Sequence, residues 1–189
     1  MNNQKSIVAG SISSIAKQSG KSIAESFVGA DVIVLVDTSG SMSARDSKNN
    51  QSRYDVACAE LAALQQNLPG KIAVISFSSD VMFCPNGTPF NFGCSTDMVK
   101  ALQFCKVADN IPGMRFILIS DGEPDDKAGT LSIARSYKNK IDVIYVGSEL
   151  HPTGRDILQE LARATGGSSV TVDRAKELQA GIVQLLKAG

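Results

Sequence analysis

Asp37-Thr38-Ser39-Gly40-Ser41-Met42-Ser43 sets a carboxylate and two hydroxyls at alternate positions around a glycine, directly after the apolar run Val32 to Val36. Three short oxygen-bearing side chains at i, i+2 and i+4 converge on one point when the turn curls around it. A hard cation suits that point: Mg2+ takes oxygen ligands at about 2.0 to 2.1 Å and accepts hydroxyls and waters beside carboxylates. Two more segments offer oxygens. Gly93-Cys94-Ser95-Thr96-Asp97 leads into a helical pattern, and Ser120-Asp121-Gly122-Glu123-Pro124 ends another apolar run. Asp97 reads as a helix cap or as the anchor of a metal-bound water. Glu123, Asp125 and Asp126 read as an acidic loop at a helix N-terminus, where negative charge is favoured; steering of a partner and a second cation are the other readings.

The elements that must present these segments follow from hydrophobic patterning. Strands are predicted over 31–36, 71–77, 115–120, 141–147 and 168–172, mostly as continuous apolar runs of the kind found in parallel sheets covered on both faces. A short run over 81–84, closed by Pro85-Asn86-Gly87, fits an antiparallel hairpin partner at the sheet edge. Helices with a one-sided stripe alternate with the strands. One carries Ala57, Leu61, Leu64 and Leu68 behind a Ser52-to-Asp55 cap and stops at Pro69-Gly70. Others carry Met98, Leu102 and Cys105; Leu131, Ala134 and Tyr137; Ile157, Leu161 and Ala164, capped by Thr153 and ended by Gly166-Gly167; and Leu178, Ile182 and Leu185 after Asp173. Such alternation implies right-handed crossovers and an α/β, doubly wound, Rossmann-like three-layer sandwich. Ligands in that fold class bind outside the carboxyl ends of the strands, where all three oxygen-rich segments fall.

With these segments in order, the chain resembles the von Willebrand factor type A domain. The D-x-S-x-S turn of the metal-ion-dependent adhesion site is met by Asp37, Ser39 and Ser41, its Thr in the next loop by Thr96, and its strand-end Asp before a Gly by Asp121. The resemblance covers roughly residues 30 to 187. It implies a six-stranded, mostly parallel sheet with one antiparallel edge strand, and a divalent cation (Mg2+, or Mn2+ or Ca2+) held by Asp37, Ser39, Ser41 and Thr96 or Asp121, directly or through water. It further implies that an Asp or Glu carboxylate of a protein partner completes the coordination, as in the family's adhesive members, or in cytosolic members that serve as accessory subunits of AAA+ ATPase machines.

Length and composition bound the rest. The 189 residues carry 19 basic and 19 acidic side chains and are 43% hydrophobic, which describes one globular domain with a full core. Balanced charge removes the electrostatic footprint of a nucleic-acid binder. An apolar run of five residues, Val32 to Val36, falls far short of the roughly 18 a spanning helix requires. Residues 1–29 form a separate arm, Ser-rich and slightly basic, whose apolar spacing at Val8, Ile12, Ile15, Ile23 and Phe27 predicts an amphipathic helix packed on a domain over 30–189. Ser and Gly interrupt the stretch 7–16, so it makes a poor signal-peptide core. Cys58, Cys84, Cys94 and Cys105 contain no C-x-x-C pair, and unpaired thiols are the expectation in a cytoplasmic chain, although Cys84 and Cys94 flank one loop and could pair.

Catalysis has weaker support in the sequence. A haloacid-dehalogenase-like phosphatase needs a second carboxylate two residues after the first, where Ser39 stands. A Walker loop and a G-x-S-x-G elbow are both absent, and His151 is the single histidine. The sequence therefore predicts a binding module and not an enzyme, with a metal-dependent phosphatase-like hydrolase as the rival.

Overall fold

The structure is a computed structural model that describes residues 6–46, 51–90, 93, 95–147 and 154–171. Apolar runs become strands wherever both faces can be covered. β1 (Val32–Asp37), β2 (Ile72–Phe77), β3 (Val81–Phe83), β4 (Arg115–Ser120), β5 (Ile141–Tyr145) and β6 (Ser169–Thr171) form one sheet of six strands in the order β3-β2-β1-β4-β5-β6. Only β3 runs antiparallel; it pairs Ile75 with Phe83 and Phe77 with Val81. β1 lies at the centre, with Val34 opposite Val74 on one side and Ile117 on the other.

All six residues of β1 are buried, because alternate side chains enter two different cores. Ile33, Leu35, Ile75, Phe77, Phe116, Leu118 and Val143 point to one face. There they meet Leu102 of α4 (Met98–Cys105), Ala134 of α5 (Lys127–Arg135) and Leu158 and Leu161 of α6 (Arg155–Ala164). Val32, Val34, Val36, Val74, Ile117 and Ile144 point to the other face, against Leu61 and Leu64 of α3 (Arg53–Asn67). The sandwich thus has three layers, as the strand–helix alternation predicts.

Several local expectations are corrected. The arm is two helices, α1 (Ile12–Ser19) and α2 (Ile23–Val28), and not one. Gly20 takes the left-handed conformation, φ 69°, and its N–H returns to Ala16 O, which ends α1. Ser22 and Glu25 then form a reciprocal capping box that starts α2. The β5 strand stops at Tyr145, short of Gly147, and α5 stops at Arg135; Tyr137 lies beyond it and donates its hydroxyl to Leu102 O at 2.6 Å. At α6 the N-cap position belongs to Gly154. Thr153, His151, Cys94 and the helix expected after Asp173 lie outside the described residues.

The arm is bound to the body by backbone contacts and by its core residue. Val8 N donates to Asn86 O at 2.9 Å, Ser13 N to Pro85 O at 2.8 Å, and Gly70 N to Gly10 O at 2.8 Å. Ile12 is 1% exposed and belongs to the same apolar cluster as Ile33 and Phe116. Truncation of such a side chain removes transfer energy and leaves a cavity. Ile12→Ala is accordingly expected to lower the unfolding free energy by about 2 to 3 kcal/mol in a urea titration; a loss under about 0.5 kcal/mol, the scale of a surface change, would place α1 outside the cooperative unit.

Candidate metal site at the strand ends

Two neighbouring parallel strands, β1 and β4, end side by side and deliver Asp37 and Asp121 to the same edge. After Asp37 the chain turns through a 3-10 segment, Gly40–Ser43, anchored by Met42, which is fully buried in the α3-side core. That anchor fixes the turn while leaving Ser41 exposed at its tip. Thr38 secures the other flank, its hydroxyl donating to Phe77 O at 3.0 Å.

The resulting oxygens form one connected cluster. Ser39 N donates to Asp37 Oδ1 at 2.8 Å, the Ser39 and Ser41 hydroxyl oxygens stand 3.2 Å apart, and Ser41 Oγ donates to Asp121 Oδ1 at 2.8 Å. Asp37, Ser39 and Asp121 are 0%, 3% and 3% exposed, so the cluster opens to solvent through Ser41. Two carboxylates linked through the intervening serines are a set of hard oxygen donors. They fit a divalent cation that keeps part of its water shell. Among the described residues no three His, Cys, Asp or Glu side chains gather to hold a metal, so hydroxyls and waters would have to supply the remaining donors.

Thr96 reaches this edge by a different route. Its backbone is clasped by Asp125, whose Oδ1 accepts from Thr96 N and whose N–H donates to Thr96 O, both at 3.1 Å. The loop before α4 is thereby tied to the loop after β4. Gly93 N completes the lattice by donating to Thr38 O at 2.9 Å. Among the described residues Thr96 makes no side-chain hydrogen bond to Asp37, Ser39, Ser41 or Asp121; it is buried, 8% exposed.

The remaining acidic residues have local employment. Asp97 caps α4 by accepting from Lys100 N at 2.9 Å, and Asp126 caps α5 by accepting from Gly129 N at 2.8 Å. Glu123 pairs with Lys127 at 2.8 Å. Cys84 is buried and carries a free thiol, 3.4 Å from Ser76 Oγ.

Sequence reasoning singled out none of three further members, Ser120, Arg53 and Asp46. Ser120 precedes Asp121 and donates to Asp37 Oδ2 at 2.6 Å, spanning β1 and β4. Arg53, at the start of α3, donates from Nη1 to Asp121 Oδ2 at 2.5 Å and from Nε to Asp46 Oδ1 at 2.8 Å; its Nη2 reaches Asp46 Oδ2 as well. The Asp46 and then the Asp121 hydrogen bonds hold the Arg53 guanidinium more firmly cationic than usual. The Ser-Asp-Gly spelling could have flagged Ser120, but no local signal marks an arginine 68 residues from its partner. Burial pushes the Asp37 carboxyl up to about 6, and the Ser120 and Ser39 hydrogen bonds only partly offset it; the neighbouring Asp121 charge pushes the same way as burial.

A cavity of about 640 Å3 opens at the opposite ends of the strands, lined by Lys71, Arg115, Lys138 and Lys140 among others. Lys71 is paired there with Asp31 at 2.9 Å and Arg115 with Asp142 at 3.0 Å. None of the five expected cation ligands lines it.

No family model matches the chain, and no curated protein matches it in sequence. Solved structures do resemble it. An aerotolerance-related membrane protein of Bacteroides fragilis is similar at 19% identity over 85% of this chain and 100% of that one, with a TM-score of 0.66. The ArnB paralog VWA2 of Sulfolobus acidocaldarius is similar at 22% identity over 80% of this chain and 43% of that one, TM-score 0.53. The manganese-loaded TRAP protein of Plasmodium vivax is similar at 16% identity over 80% and 71%, TM-score 0.58. At these identities the likeness is one of fold.

Proposed function

From the von Willebrand factor type A fold that the chain shares with these structures, we propose a protein-interaction module in which a divalent cation captures an acidic residue of a partner. The observation that carries this reading is the convergence of Asp37, Ser39, Ser41 and Asp121 into one hydrogen-bonded cluster that opens to solvent at Ser41. Asp37, Ser39 and Ser41 would hold the ion, with Asp121 and Thr96 completing the set directly or through water. The bound ion supplies an electrophilic position that a carboxylate can occupy. A related fold loaded with manganese supports a cation of this class.

The chain's own groups prepare that position. Ser120 and Ser39 N–H orient the two oxygens of Asp37, and Met42 pins the turn that carries the hydroxyls. Ser39 stands where a phosphatase would need its second carboxylate, which supports binding in preference to catalysis. No helix among the described residues is long and apolar enough to cross a membrane. The free thiols of Cys84 and Cys105 suit a reducing compartment such as the cytoplasm.

Calorimetric titration of Mg2+ or Mn2+ into the metal-free protein tests the first half of the proposal: saturable binding to one site is expected, and its absence at millimolar cation would sink it. For the second half, an acidic protein retained on the immobilised chain in Mg2+ should be released by EDTA. Turnover of a generic phosphate ester that vanished in Asp37→Ala would favour the hydrolase instead.

A further inference from the structure

Arg53 is positioned to act on the proposed cation without touching it. Its side chain is 13% exposed and joins two carboxylates of different character: Asp121, whose side chain is fully buried, and Asp46, whose side chain is 44% exposed. One edge of the guanidinium, Nε and Nη2, is gripped by Asp46, which leaves Nη1 aimed inward at Asp121 Oδ2. Fork-shaped pairing of this kind fixes a guanidinium in orientation as well as in place. Asp121 Oδ2 is therefore taken by a fixed positive charge while Oδ1 accepts from Ser41.

We propose that Arg53 is a built-in counter-ion that competes with the divalent cation for Asp121 and sets the site's affinity, with Asp46 holding it there and moderating its charge. The proposal rests on the reading of a cation bound at Asp37 and Asp121. Its logic is electrostatic: a fixed positive charge one hydrogen bond from a ligand carboxylate offsets part of the negative charge that draws a 2+ ion. Such charges, a few ångströms apart in a partly screened site, change an affinity by about tenfold. The ion is held less tightly as a result and stays more electrophilic toward an incoming carboxylate.

The test is titration of Mn2+ followed by the loss of the free-ion EPR signal, at one ionic strength, in the wild type and in Arg53→Gln, Arg53→Lys and Asp46→Asn. Far-ultraviolet circular dichroism checks that each variant is folded. Arg53→Gln is expected to tighten Mn2+ binding about tenfold and Asp46→Asn to weaken it about threefold, while Arg53→Lys stays within about twofold of the wild type. A purely architectural role would move Arg53→Gln and Asp46→Asn in the same direction, and that outcome overturns the proposal, as does unchanged affinity in Arg53→Gln. Because Asp46 is half exposed, Asp46→Asn keeps the comparison decisive even where Arg53→Gln fails to fold: binding as tight as the wild type in that variant overturns the proposal. No Mn2+ uptake by wild type or variants would overturn the cation reading itself, which separates the two failures.

Discussion

Asp37→Asn is expected to abolish cation binding while leaving the metal-free domain at least as stable as the wild type near neutral pH. Loss of an outer partner of a metal ligand alone costs about 10 to 100-fold in affinity, so removal of the central charged ligand should cost more than about a hundredfold and take the calorimetric signal below detection. The stability half follows from burial. The folded-state pKa of Asp37 is raised to about 6 from an ordinary 3.8, so the folded state binds this proton more tightly than the unfolded one. Metal-free, the ionised carboxylate penalises folding, by an amount that is absent below about pH 4, grows as pH rises, and is complete above about pH 6. The difference in pKa corresponds to about 3 kcal/mol. Urea titrations of both proteins at pH 4.5 and 7.5 should show the variant gaining on the wild type at the higher pH. The same proton competes with the ion, and Mn2+ affinity of the wild type should fall as pH drops below about 6. Retained Mn2+ binding in Asp37→Asn, or a variant that loses stability as pH rises, would contradict the assignment.

The second large effect is expected at Gly154, which begins α6 with φ 80°. A Cβ on this residue would stand 2.6 Å from Gly122 C and 2.8 Å from Glu123 N, and backbone cannot yield as a flexible side chain does. Left-handed geometry costs a non-glycine residue about 1 to 2 kcal/mol and overpacking about 1 to 3 more, so Gly154→Ala should lose about 4 kcal/mol. The displaced backbone adjoins Asp121, and Mn2+ binding should weaken with it. Gly113 separates the two causes: it has φ 78° with nothing within 4 Å of a Cβ, and Gly113→Ala should cost only about 1 to 2 kcal/mol and leave Mn2+ binding unchanged. Equal losses in the two variants, measured by urea titration, would show that the clash with the Gly122 backbone carries no weight.

The sheet was legible in the sequence because its strands are buried on both faces, so Val32-Ile33-Val34-Leu35-Val36 and Phe116-Ile117-Leu118-Ile119 spell their own extent without reference to anything distant. The D-x-S-x-S turn was legible for a related reason: its donors lie within five residues and inherit their direction from β1. Arg53 was not, because its role depends on how α3 lies across the sheet, which no local pattern encodes. Thr96 shows the intermediate case. Its loop was placed at the edge where the structure has it, yet its tie to the loop after β4 runs through Asp125, a residue read from sequence as part of an acidic loop at a helix N-terminus, with partner steering or a second cation as the other readings. The arm was misread as one helix because periodicity persists across Gly20, whereas the backbone there reverses hand.

The contacts of the arm have a consequence for self-association. An open sheet ends in a strand whose outward N–H and C=O groups can template another chain. Here that edge is β3, only three residues long, and the chain beyond it turns at Pro85, whose carbonyl, with that of Asn86, is already taken by Ser13 and Val8 of the N-terminal segment. The N-terminal segment thus takes the backbone acceptors that follow β3, and the edge left for another strand on that side is confined to the three residues of β3 itself.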